Sequence, residues 1–83
     1  MRETESVMGA TLRELLTETG ETQAMFAARL GVSQKYLSQL ILGLVPLTPR
    51  MALRLEAQTD VPMRMWLRLQ VEDDVRRMHE GAS

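Results

Sequence analysis

Leu12, Leu15 and Leu16 recur at helical spacing downstream of Gly9, and the pattern stops at Gly20. This predicts a first helix closed by a left-handed glycine. Thr22 stands at an N-cap position before a short second helix, which runs through Leu30 and turns Phe26, Ala27 and Leu30 inward. Gly31 ends that helix. Ser33 caps a third, whose inward face is Leu37, Leu40 and Ile41, and Gly43 closes it ahead of the connector "LVPL". Thr48-Pro49 sets a capping hydroxyl before a proline at the first helical position. This fourth helix runs to about Gln58 and buries Met51, Ala52 and Leu55. After the break "TDVP", where Asp60 is a candidate cap, a last helix starts near Pro62 and carries Met65, Trp66, Leu69 and Val75. Glu72 with Arg76 and Asp73 with Arg77 form i, i+4 pairs on its exposed part.

Five helices with no repeat and no convincing strand predict an all-α domain. It spans residues 9–79, between a flexible polar arm (1–8) and a short tail (80–83). The composition agrees. A chain of 83 residues carries one small core, aromatics make up only 4%, and good helix formers dominate. Cysteine is absent, which excludes a disulfide framework and a thiolate metal site and suits a reducing compartment. No secretory signal is visible, and no apolar run approaches the roughly 20 residues that cross a bilayer. A soluble, cytoplasmic protein is expected. The single histidine, His79, lies in a polar stretch and is read as solvated. Neither a nucleophile–base pair nor a metal triad can be assembled, so no catalytic residue, metal or cofactor is expected.

Net charge is -1, but the charges are segregated. No Asp or Glu lies between Glu21 and Glu56, a stretch that holds Arg29, Lys35, Arg50 and Arg54. A polyanion would meet that local excess of four positive charges rather than the average.

Helices two and three are separated only by Gly31-Val32-Ser33, a turn short enough to force a steep crossing, the helix-turn-helix arrangement. Ala27 is small where the helices approach, Val32 plugs the turn into the core, and Leu37 and Leu40 anchor the second helix on the first. With those residues inward, Lys35, Ser38 and Gln39 point away from the core and Gln34 lies at the N-terminal rim. Their side chains suit base edges in the major groove, Gln toward adenine and Lys toward guanine. Tyr36 sits on the flank with its hydroxyl toward phosphate, Ser33 and Gln23 open the two helices near the backbone, and Arg50 starts the fourth helix. Gln23, Ser33, Gln34, Lys35, Tyr36, Ser38, Gln39 and Arg50 are therefore the candidate DNA contacts.

The segment "TQAMFAARLGVSQKYLSQLILG", helix-turn-helix over residues 23–42, resembles the Cro/λ-repressor type, also called the xenobiotic-response-element class. The resemblance implies a five-helix λ-repressor-like fold. A narrower likeness covers most of the chain. "GATLRELL", "LTPRMALRLE" and "MRMWLRLQ" resemble the HigA-type antitoxins, in which a Trp-Leu-x-Leu-Gln segment, here Trp66–Gln70, opens the last helix. It implies a homodimer on a palindromic operator in double-stranded DNA that represses its own operon and neutralises a partner toxin, usually a ribosome-dependent RNA-cleaving enzyme. One departure stands out. Related proteins carry Asn-Gly-Lys/Arg after the recognition helix, whereas this chain has uncharged Leu42-Gly43-Leu44-Val45, leaving Arg50 as a substitute phosphate contact.

The dimer surface is placed on the last helix around Trp66, Leu67 and Leu69, where apolar groups exceed what a small core absorbs. Trp66 also reads as a packed anchor, and most of the seven methionines as core fillers. Glu72-Asp73-Asp74 reads as a solvated face. Two other functions fit the residues: a phage-type or stand-alone regulator without a toxin, or a protein-interaction module that keeps the helix-turn-helix shape, with exposed Leu42, Leu44 and Val45 as its patch.

Overall fold

Serine and threonine hydroxyls start four of the five helices. In the computed structural model, which describes residues 6–82 (Ala82 through its backbone alone), α1 spans Val7–Thr19, α2 Gln23–Leu30, α3 Gln34–Ile41, α4 Pro49–Gln58 and α5 Met63–Ala82. Ser6, Thr22, Ser33 and Thr48 each accept a hydrogen bond from the backbone N–H three residues on, which satisfies a donor with no partner inside its helix. The fifth helix is opened differently. Glu56 of α4 accepts from the Met63 N–H at 2.9 Å, and the Pro62 carbonyl accepts from the Met65 and Trp66 N–H groups. Asp60, the expected cap, bonds none of them.

The domain is λ-repressor-like and all-α, with no strand among the described residues. Its core draws on every helix: Met8 and Leu12, then Phe26, Ala27 and Leu30, then Leu37, Leu40 and Ile41, then Met51, Ala52 and Leu55, with Trp66 from α5 and Leu47 from the α3–α4 connector. Leu15, Leu16 and Val32 pack at its edge. Trp66 is fully buried and its indole N–H has no acceptor among the described residues, so packing alone holds it. The methionines divide more evenly than expected. Met8 and Met51 are core, Met63 packs against it, and Met25, Met65 and Met78 are exposed.

Where α1 begins is a tertiary matter. Residues 6–8, expected in a loose arm, form the cap and first turn of the helix, and Met8 is buried. Residues 1–5 of that arm and Ser83 of the expected tail lie outside the described residues. At the other end α5 continues through residues 80–82.

Asp73 fixes the start of α1. Its two carboxylate oxygens accept from Val7 N (2.6 Å) and Met8 N (3.2 Å), and the residue is 5% exposed. The expected Asp73–Arg77 surface pair is therefore corrected. Asp73 faces inward to the free N–H groups of α1, while Arg77 pairs with Asp74 at 2.7 Å. Glu72 and Arg76 form no ion pair among the described residues. A negative charge at a helix N-terminus meets both unpaired donors and the positive end of the helix dipole. Asp73→Asn leaves one acceptor and turns an amide N–H toward a backbone N–H. It is expected to destabilise the domain by about 1–3 kcal/mol. Urea unfolding checks this, and an unchanged midpoint would show that α1 starts without Asp73.

Candidate nucleic-acid interface

The α2–α3 turn is closed by two hydrogen bonds of the Schellman type: Gly31 N to Ala28 O at 3.2 Å and Val32 N to Ala27 O at 3.0 Å. Gly31 sits at φ 79°, a left-handed conformation that a Cβ would strain. The sequence permits this turn because Val32 follows to pack on the core and Ser33 restarts the helix at once. The end of α3 uses the same device, Gly43 N to Leu40 O and Leu44 N to Gln39 O. The recognition helix is thus fixed at both ends by local sequence.

Neighbouring helices then hold the pair. From α4, Arg54 Nη1 donates to Leu30 O (3.0 Å) and Gly31 O (3.4 Å), carbonyls at the C-terminal end of α2. Arg29 reaches the C-terminal end of α4, donating to Gln58 O at 2.8 Å, and also bonds Glu21 at 2.7 and 3.0 Å. Its guanidinium lies 5.0 Å from the centre of the Phe26 ring. The hydrogen bond from Arg29 holds the Glu21 carboxyl below its usual pKa, and the same bond raises that of Arg29. At the far side of α3, Ser6 donates to Ile41 O (3.3 Å), and Gln70 of α5 accepts from Leu47 N (2.8 Å). Gln70, the last residue of the Trp-Leu-x-Leu-Gln segment, thereby pins the connector that follows the recognition helix.

These contacts revise the charge picture. The stretch that is free of acids in sequence is not so in space, because Glu21 neutralises Arg29. Arg54 is partly committed to carbonyls. Lys35 and Arg50 form no ion pair among the described residues.

The candidate contacts separate into two groups. Ser33, Gln34 and Lys35 are exposed at the N-terminal turn of α3, while Ser38 and Gln39 are half-buried further along it. Gln23, half-buried, opens α2. The Ser33 hydroxyl already accepts from Tyr36 N at 3.0 Å, so donation is what it has left for a phosphate. Tyr36 packs against the core edge and lines a hollow of about 240 Å³ with Val32, Thr48, Met51 and two arginines, Arg50 and Arg54. Arg54 was not among the candidates. Its i, i+4 relation to Arg50, which places both on one face of α4, was the available signal. Past α3, Leu42 and Leu44 are exposed while Val45 packs inward.

A short glycine turn, an exposed polar helix start and adjacent arginines define a helix-turn-helix domain of the DNA-binding type. The family's sequence profile agrees: the helix-turn-helix profile matches residues 12–66, and the chain belongs to that family. Among solved structures, the domain is similar to a proposed antidote protein of a plasmid maintenance system from Nostoc punctiforme. The TM-score is 0.86 at 27% identity, over 94% of this chain and 86% of that one. No curated protein matches the chain. No described helix is long and apolar enough to cross a membrane.

Proposed function

We propose that this chain is a dimeric, sequence-specific repressor that acts as an antitoxin, binding a palindromic operator of its own operon and neutralising a partner toxin. The observation that carries the DNA reading is the exposed first turn of α3, where Gln34 and Lys35 stand clear of a helix fixed at both ends. The likeness to the Nostoc punctiforme antidote protein favours the antitoxin over a stand-alone regulator. Arg50 and Arg54, beside Tyr36, take the place of the basic residue absent from "LGLV". The test is a mobility-shift titration on the chain's own upstream region. Retardation that weakens steeply with salt is expected, and none at low salt with micromolar protein sinks the reading. In that case exposed Leu42 and Leu44 favour a protein-interaction module.

The dimer surface proposed here differs from the one read in the sequence. Trp66 has no surface to offer a partner, since it is 0% exposed, and Leu67 and Leu69 are half-buried against the core. Val71, Val75 and Met78 are 56%, 42% and 71% exposed and follow a 4, 3 spacing. They lie on the side of α5 opposite Trp66 and Asp73, as a seam for a second helix does. Val75→Glu is expected to convert a dimer to a monomer in sedimentation equilibrium without loss of helical circular dichroism. A dimer of unchanged strength would place the interface elsewhere.

A further inference from the structure

A cleft of about 550 Å³ opens between the C-terminal end of α1, the second half of α2 and the turn from α4 into α5. None of its residues is a candidate DNA contact. Its apolar surface comes from Leu15, Leu16, Phe26 and Val61, of which only Phe26 is fully buried. One wall is built in advance. Arg29 lies over Phe26 and is held by Glu21 and by Gln58, joining the α1–α2 loop to the end of α4. Glu18 and Asp60, both exposed, line the same cleft. Neither makes a hydrogen bond or ion pair among the described residues. With Arg29 neutralised by Glu21, the cleft presents two unmatched carboxylates around an apolar floor.

That charge repels a phosphate backbone and disfavours nucleic acid as the occupant. The volume lies within the range of concave ligand-binding sites. We infer that the cleft is the seat of a basic polypeptide segment of a partner protein. One apolar side chain of that segment enters among Leu15, Leu16 and Val61, and a lysine or arginine beside it meets Glu18 and Asp60. The inference rests on the partner-binding part of the proposed function and not on its DNA-binding part. A partner seated here leaves Gln34, Lys35 and Arg50 uncovered at their own site, so a complex with both partner and DNA is allowed.

The test is an NMR titration of the ¹⁵N-labelled full chain with acetyl-Leu-Arg-Leu-Lys-amide, run in parallel with the same peptide carrying Glu for both basic residues. Saturable shifts are expected at the amides of Leu15, Leu16, Glu18 and Val61 with the basic peptide and not with the acidic one. The double variant Glu18→Lys, Asp60→Lys is expected to weaken binding by about tenfold or more, through two reversed charges. Glu72→Lys, the same kind of change on α5, keeps it. Four results overturn the inference: no shift at millimolar peptide, shifts of equal size around Glu72 and Asp74, unchanged affinity in the double variant, or the same cleft shifts on concentrating the chain alone. The last assigns the cleft to a second copy. No arm contains DNA, so failure here leaves the repressor reading standing, and a failed mobility shift leaves this one standing.

Discussion

Replacing Gly9 by alanine is expected to destabilise the domain by about 3 kcal/mol, the upper part of the range for an atom forced into a packed interior. Gly9 is buried where α1 crosses the end of α3, and a Cβ there would clash with the carbonyl oxygen of Ile41 and lie 2.9 Å from its carbon. The obstacle is backbone, so no side-chain rotation relieves it. The same carbonyl already accepts from Ser6, which also caps α1, so α1 cannot lift away without losing its own start. A domain of this size carries roughly 4–12 kcal/mol of stability in all. The loss corresponds to a fall in Tm of about 12–24 °C. Gly81→Ala is the control. Nothing lies within 4 Å of a Cβ at that helical position, so the change is expected to be neutral or to stabilise slightly through helix propensity. Thermal unfolding of the two variants decides the matter, and equal melting temperatures would mean that the α1–α3 crossing has slack.

Gly9 also shows what kind of information a single sequence withholds. A glycine near the start of a periodic run reads as a boundary, yet this one sits inside the helix because a carbonyl at the end of α3 leaves no room for a side chain. Asp73 misled in the same way. In a run of three acids it reads as solvated, and only the arrival of α1 over α5 turns it into a cap. Arg29 counts as a free cation until the α1–α2 turn brings Glu21 alongside. By contrast, the features legible in advance are those decided within a few residues: the hydroxyl caps at Thr22, Ser33 and Thr48, the glycine turn at Gly31, and the inward Leu37, Leu40 and Ile41. The helix-turn-helix was readable because it is built almost wholly from such local rules. Its supports come from α1, α4 and α5, and were not. Trp66 falls between the two, since it reads both as a packed anchor and as part of an interface, and its complete burial bears out the first reading.

The candidate recognition face makes the sharpest demand on the proposed function. Lys35→Ala with Gln39→Ala is expected to weaken operator binding by about 2–6 kcal/mol per half-site, at 1–3 kcal/mol for each lost base contact. Stability should change little. Lys35 is exposed, Gln39 is half-buried, and alanine is the strongest helix former. Weakened binding alone does not identify a base reader, because removing any cation from the interface lowers affinity through the phosphates. The discriminating quantity is the ratio of affinities for operator and for non-operator DNA. A lost phosphate contact lowers both alike and reduces the salt slope by about one, whereas a lost base contact lowers the operator affinity and collapses the ratio. Arg50→Ala is the internal reference for the first behaviour, since Arg50 lines a hollow beside α3 with Arg54 and Tyr36. If the double variant keeps the wild-type ratio, the bases are read elsewhere, and the exposed turn of α3 only positions the domain.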